Sequence, residues 1–494
     1  MSDSQNKIIK TLLWIAVIMF FVRLVSLGFT PMFDTTEARY AEIGRIMYET
    51  GNWLIPQFDY GIPFWGKPPL SFWATAASFH VFGVNDFATR LPHFLFMLGI
   101  AVMMYFFVKK YLGQMMAATT IAVLSTTTVF IYLAGGVMTD PAFAFCTTLA
   151  MIAFYNALFG GDRKRLWGYT FFIGMGIGLL AKGPLIFAIV GIPIFLFVLI
   201  KNKWSEVFRE LPIVTGTLLM LAIALPWYIL AERASPGFLE YFIIGEHYLR
   251  YITPEWAGDM YGAGRGGYIG QMVVFWLESL LPWLIWLAVM SFSRRFRGTL
   301  FSREFIKNDF LFYMILNVAV TLLFFSLSKN LVMNYVATIF APTAAIIGWL
   351  VYKNDDDMPK LPKFKLFTGL NVAIFVVIIA VGALYPKYSA DMGRSDRFLV
   401  KTYIAQRSGD DVPLIYFMRG RNYSGRFYSG GKVIMISDFD KIRSAAFEHG
   451  EVFIIIRRNL NIEDYDFKDM KKTVVTVGKK TSLIKITAVT NSPT

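Results

Sequence analysis

Long apolar runs separated by short polar breaks fill the chain from residue 11 to residue 385. A helix needs about 20 mostly apolar residues to cross the hydrocarbon layer of a bilayer. Runs of roughly that length lie at 11–29, 91–108, 115–134, 139–159, 166–181, 184–200, 211–231, 269–291, 310–327, 331–352 and 364–385. They predict an α-helical polytopic membrane protein with about 11 to 13 transmembrane helices. The stretch from Pro69 to Phe82 is apolar but short and interrupted, so it is expected to lie against the membrane interface. Beyond residue 386 the pattern changes to short strand-like runs at 413–417, 432–436, 451–457 and 482–487, separated by Gly, Asn and charged turns. The expected division is therefore a membrane domain over 1–385, with a loop at 30–90 carrying amphipathic helices, and a small α/β domain over 386–494.

Composition agrees with a bilayer as solvent: of 494 residues 56% are hydrophobic and only 17% charged, and mean hydropathy is +0.51. The single cysteine, Cys146, leaves no intrachain disulfide to hold the fold. A formal charge of +14 would suit nucleic acid if it formed a patch, but the basic residues fall in clusters between apolar runs, which excludes nucleic acid as the expected partner. Lys109–Lys110, the Asp162–Arg165 turn, Lys201–Arg209, Arg294–Lys307 and Lys353–Lys365 share one side if the chain starts inside, and the positive-inside rule makes that side cytoplasmic. The loops at 30–90, 135–140 and 232–268 and the tail then face the other side. Lys7 and Lys10 precede the first run without a cleavage site, so that run is expected to be retained. The Asp355–Asp357 run reads as a solvated loop.

Candidate chemistry collects in the non-cytoplasmic loops. In the first, Tyr40, Ile43 and Met47 recur at helical spacing, which predicts an amphipathic helix on the membrane surface with Arg39, Glu42 and Arg45 open to solvent or a headgroup. Asp34 and Glu37 stand at its start, where a carboxylate also serves as a cap. Lys67 follows an aromatic and precedes two prolines, a compact cation suited to phosphate. Asp140, before Pro141, reads both as a helix start and as an acid at the mouth of two spans. Lys182 breaks an apolar stretch and either snorkels or binds an anion. Glu246 and Arg250 share a helical face as an ion pair, beside His247, while the glycine-rich run at 261–267 lacks the Gly-Lys-Ser/Thr ending of a nucleotide loop. Four scattered histidines give no zinc signature, and no Gly-x-Ser-x-Gly is present. Carboxylates and cations at one membrane face suit removal of a proton from an acceptor while cations hold a phosphate leaving group.

The runs Glu37–Ile43, Gly66–Pro68, Thr139–Pro141, Ala181–Gly183 and Phe325–Lys329 with Tyr335 resemble the bacterial polyprenyl-phosphate-sugar-dependent glycosyltransferases of the protein-mannosyltransferase superfamily, the group that includes the aminoarabinose transferases of lipid A. The resemblance, over about residues 8–350, implies the GT-C fold, an undecaprenyl-phosphate sugar as donor, a lipid A or lipopolysaccharide-type acceptor, and catalysis at the periplasmic face of the bacterial inner membrane. A protein acceptor is the alternative; a transporter or flippase fits less well, because the ionisable residues gather at one face and not at the bilayer midplane. The family's acids match Glu37 and Asp140, and its donor-phosphate cavity matches Arg39, Tyr40, Lys67, Lys329 and Tyr335. Thr36 stands where the family commonly has Asp, so Asp34 joins Glu37 and Asp140 as a candidate catalytic acid, and Gly66 stands where lipid A enzymes tend to carry an acid. Lys182, Glu246, His247 and Arg250 complete the expected substrate-binding set. No cofactor is called for by a motif, and a divalent cation stays an open alternative.

Overall fold

The computed structural model describes residues 3–262, 266–354, 361–384, 394–418, 422–460, 465, 467–477 and 480–489. The Asp355–Asp357 run, the division at 385/386 and residues 263–265 of the glycine-rich run lie outside the described residues.

Every one of the eleven apolar runs falls on helix. Among the described residues six helices are long and apolar enough to cross a membrane: α1 (Asp3–Ser26), α4 (Asp86–Leu112), α7 (Asp140–Phe159), Ile213–Ala234, Asp309–Ser326 and Met333–Asn354. Leu361–Leu384, 24 residues long, and the apolar helices that are shorter, more charged or broken carry the count toward the expected 11 to 13. The run at 115–134 is two pieces, α5 (Gln114–Thr126) and α6 (Thr128–Leu133), parted at Thr127, which is extended. The run at 269–291, expected as one span, is Gln271–Ser279 and Trp283–Met290 set at 101°. Pro282 sits at the bend and has no amide hydrogen to continue the helical ladder. The two breaks meet and satisfy each other's polar groups: the Trp283 indole donates to the Val123 carbonyl and to Thr126 Oγ1, each at 3.1 Å, and the Thr128 amide donates to the Leu281 carbonyl at 2.9 Å.

Between α1 and α4 the chain builds α2 (Thr36–Thr50), a short hairpin of β1 (Gln57–Asp59) and β2 (Ile62–Pro63), and α3 (Leu70–Phe82). At 13 residues α3 is about 20 Å long, short of a span. It packs tightly on α2 at Gly44, where an added Cβ would lie 2.7 Å from Thr75 Cγ2. Contrary to the expectation of a solvent-facing polar side, Glu42 is only 1% exposed and Arg45 3%. They pair with each other at 2.7 Å, and Arg426 of the C-terminal domain lies 3.6 Å from Glu42 and 2.5 Å from Asp59. The polar face of α2 is thus covered by a segment almost 400 residues away in sequence.

That segment, the helix Tyr423–Ser429, belongs to a domain built on a five-stranded sheet of order β4-β3-β5-β7-β6, with β3 Leu414–Phe417, β4 Val433–Ile436, β5 Glu451–Arg457, β6 Met470–Val477 and β7 Thr481–Ala488. β3 runs parallel to both neighbours, and the β5–β7 and β7–β6 pairs are antiparallel. Alternation along β3 sends Leu414 and Tyr416 to one core and Ile415 and Phe417 to the other, each face closed by a helix, Arg397–Gln406 or Phe439–His449. The four strand-like runs of the sequence are strands here. The strand not anticipated, β6, is the edge strand whose Lys471 and Lys472 mask its pattern, as charges on an edge commonly do.

Candidate functional site

A cavity of about 450 Å3 opens where the loop at 235–268 meets the end of α8 (Lys164–Lys182) and the segment at 325–335. Lys67, Lys182, Glu246, His247, Arg250 and Tyr335 line its polar side, and Leu185, Ala188, Ile252, Phe324 and Phe325 its apolar side. Residues from four separate parts of the sequence meet there.

Lys182 ends α8, and Gly183 follows with φ +75°, a left-handed turn at which a side chain would strike the Phe242 ring at 2.7 Å. The turn leaves the Lys182 ammonium 2.6 Å from Asp140 Oδ1 and 4.6 Å from the centre of the Tyr335 ring. Asp140 opens α7 with Pro141 behind it, but Thr139 holds the cap position and the Asp140 carboxylate is spent on Lys182 instead of on backbone amides. His247 places Nε2 3.1 Å from the Lys182 carbonyl and Nδ1 2.8 Å from that of Phe242, and burial holds its pKa below the ordinary histidine value.

Glu246 is the electrostatic hub. Its side chain, 3% exposed, accepts from Lys67 Nζ at 2.7 Å, from Arg250 Nη1 at 3.0 Å and from the Tyr241 hydroxyl at 3.3 Å. Burial opposes its charge, yet Lys67 and Arg250 outweigh burial and bring its pKa down to about 2. Burial likewise opposes the charge of Lys67 and of Arg250, and Glu246 wins in both cases, so both are held above their ordinary values. Arg250 also faces Asp259 at 3.5 Å, and its buried Nε has no partner among the described residues. Around one recess, then, stand three cations and three carboxylates with a guanidinium donor to spare.

The remaining sequence candidates stand apart from this lining. Arg39 donates to the Tyr261 carbonyl and stacks over Tyr40, whose ring packs against Phe72 at 5.5 Å. Arg39 therefore braces the cavity loop from behind through Tyr261, whose hydroxyl accepts from the Trp65 amide at 2.9 Å. Lys329 has an exposed side chain, and its backbone amide donates to the Tyr251 carbonyl at 2.9 Å. Glu37 accepts from Arg90 Nε at 2.9 Å, and Arg90 also donates to the carbonyls of Leu27, Thr30 and Pro31. Asp34 accepts from the amides of Tyr423 and Ser424 at 2.9 and 3.1 Å and from the Ser424 hydroxyl, so it docks the C-terminal domain. Burial raises its pKa to about 6, against those hydrogen bonds. Sequence reasoning passed over Tyr241, Asp259 and Asn330. Only Asn330 carried a signal, following Lys329 directly, and its side chain ties the Arg250 and Thr253 carbonyls at 2.6 and 2.7 Å. Among the described residues no three His, Cys, Asp or Glu side chains gather as a metal site would require.

Comparison with known proteins bears on the chain's relatives and its fold. Residues 9–242 match the family of dolichyl-phosphate-mannose-protein mannosyltransferases. The undecaprenyl phosphate-alpha-4-amino-4-deoxy-L-arabinose arabinosyl transferase of Enterobacter sp. (strain 638) is 27% identical over 335 residues, 66% of this chain and 56% of that protein. The protein of the same description from Pseudomonas savastanoi pv. phaseolicola is 30% identical over 239 residues, 48% of this chain and 43% of its own length. The chain thus spans about half the length of the curated relatives it matches. In three dimensions the crystal structure of ArnT from Cupriavidus metallidurans bound to undecaprenyl phosphate superposes with a TM-score of 0.71 at 17% identity, covering 96% of this chain and 97% of that one. By sequence, residues 9–242 are thus similar to the dolichyl-phosphate-mannose-protein mannosyltransferase family, and over nearly all of its length the chain shares the fold of that crystal structure.

Proposed function

We propose that the protein is a membrane glycosyltransferase that moves one sugar from a polyprenyl phosphate to a lipid A or lipopolysaccharide-type acceptor, at the periplasmic face of a bacterial inner membrane. The observation that carries this reading is the convergence of Lys67, Arg250 and Lys182 on a cavity whose other wall is apolar, which suits a phosphate joined to a hydrocarbon chain. Lys67 and Arg250 hold the donor phosphate, and Lys182 orients Asp140. The acceptor hydroxyl attacks the anomeric carbon, the bond from that carbon to the phosphate oxygen breaks, and the lipid phosphate leaves with the electron pair while Asp140 takes the hydroxyl proton. Asp34 and Glu37 serve as braces of the first loop and of the C-terminal domain, because their oxygens are engaged by Ser424, Tyr423, Phe33 and Arg90. Arg39, Tyr40 and Lys329 support the cavity from outside its lining.

The test is lipid mass spectrometry of envelopes with and without the gene, beside a glycoprotein stain. A sugar-sized mass missing from a glycolipid is the expected result, and it identifies the sugar and acceptor. Restoring the gene with Lys67→Gln should leave transfer lowered by about 10²–10³, the usual cost of one preorganised donor. Protein O-glycosylation with the same donor class is the second reading, favoured by the protein acceptor in the matched family's description; unchanged lipids with lost protein glycans would select it.

A further inference from the structure

A second recess, of about 330 Å3, lies at the seam between the C-terminal domain and the ends of α1 and α4, lined among others by Gly28, Asp86, Phe87, Arg397, Lys401 and Tyr428. Arg397 and Lys401 are one turn apart and share a face of the helix Arg397–Gln406. Arg397 is fixed by Asp86 at 3.4 Å, by the Phe29 carbonyl at 3.3 Å and by the Tyr428 ring beneath it. Asp86 in turn accepts from the Tyr428 hydroxyl. Lys401 is exposed and has no ion pair among the described residues. With Asp86 answered by Arg397, the recess keeps one unopposed positive charge.

Its surroundings are apolar. On α1 an exposed stripe runs through Trp14, Val17, Ile18, Phe21 and Val25, the i, i+3, i+4, i+7, i+11 pattern of a lipid-facing helix side, and ends near Phe29 at the recess. Val81, Phe82 and Val84 are exposed at the end of α3, Val81 at 73%, and Ile404 is exposed beside Lys401. Cations set at the end of a lipid-facing stripe lie at headgroup depth, where Lys and Arg commonly meet lipid phosphates.

We propose that this recess binds the phosphate of an anionic glycerophospholipid from the leaflet on the C-terminal domain's side. Lys401 and Arg397 face the phosphate, the acyl chain lies along the α1 stripe, and the lipid fastens the C-terminal domain to the bilayer at the seam. The site is separate from the 450 Å3 cavity and its occupancy does not depend on the transfer reaction.

The experiment is native mass spectrometry of the full chain in detergent, titrated with phosphatidylglycerol, phosphatidylcholine or a lipid A. The wild-type chain should retain phosphatidylglycerol over phosphatidylcholine. Lys401→Gln should weaken that retention about fivefold, the effect of one basic residue near an anionic surface, and Lys401→Glu should weaken it further. Lys441→Gln, an exposed lysine on the far helix of the same domain, should change nothing. Equal retention of the two phospholipids, an unchanged Lys401→Gln, or an equal loss in Lys441→Gln would overturn the proposal. Displacement of phosphatidylglycerol by equimolar lipid A would overturn it too, since the phosphate recognised would then be that of a glycolipid acceptor. Because Lys401 is exposed, an unchanged unfolding midpoint in Lys401→Gln confirms that its readout concerns lipid and not folding.

Discussion

Replacing Glu246 by Gln keeps the shape of the side chain and removes the one carboxylate shared by Lys67 and Arg250. The fall of its pKa from the ordinary 4.5 to about 2 corresponds to about 3 kcal/mol in favour of the folded state at neutral pH. Breaking a buried ion pair from one side costs about 3–5 kcal/mol, so the two routes to the magnitude agree. The sign follows from linkage: a carboxylate depressed on folding contributes its full stability above the unfolded value of about 4.5, and that contribution is lost as pH falls toward 2. The unfolding midpoint of Glu246→Gln in detergent should therefore lie a few degrees below wild type across pH 5 to 8, and the gap should narrow below pH 4.5. Adding Lys67→Gln should recover part of the loss, because the lysine no longer stands buried without a counter-charge, and the double-mutant cycle should give a coupling of about 1–3 kcal/mol. An unchanged midpoint at pH 7, or strict additivity of the two substitutions, would refute the hub described here.

Three further outcomes are expected. Asp140→Asn should lower transfer by about 10²–10⁴ while leaving retention of a polyprenyl phosphate within a few fold, measured by turnover and by binding on the same purified protein; equal loss of both would make Asp140 a donor-site residue and not the base. Asp34→Asn should remove a pH dependence: with its folded pKa raised to about 6 the native protein binds the extra proton, so wild-type stability rises as pH falls from 6 to 4 and the variant's does not, as thermal unfolding across that range would register. Arg90→Met should cost about 3–5 kcal/mol, because it leaves the Glu37 carboxylate without its counter-charge and three loop carbonyls without the guanidinium donor; proteolytic cleavage between residues 27 and 37 reports it, and wild-type resistance would contradict it.

What could be read from the chain was what depends on neighbours in sequence. Apolar runs of sufficient length mark helices whatever they pack against, so all eleven landed on helix, and the pairing of Glu246 with Arg250 followed from their spacing. What could not be read depended on distant partners. The third member of that cluster, Lys67, lies 179 residues upstream of Glu246. Glu42 and Arg45 look like a solvent face until Arg426 is laid over them, and Asp34 looks like a free acid until the amides of Tyr423 and Ser424 reach it. The breaks at Thr127 and Pro282 escaped for another reason: hydropathy sums side-chain polarity residue by residue, whereas these interruptions are tied by hydrogen bonds between segments far apart in sequence.

The joined breaks bear on biogenesis. When residues 115–134 first enter the bilayer, the groups at the Thr127 break are incompletely paired: the Thr128 amide lacks its acceptor, the Leu281 carbonyl, which has yet to leave the ribosome. Their burial in lipid is uphill until about 150 further residues have been made, so this part of the molecule stays beside the insertion machinery, or wet, until the second interrupted helix arrives. Translation order thus sets a checkpoint: a chain stopped before residue 270 should leave its early half trapped at the translocon, and the centre of the bundle is completed by a late segment closing on an early one.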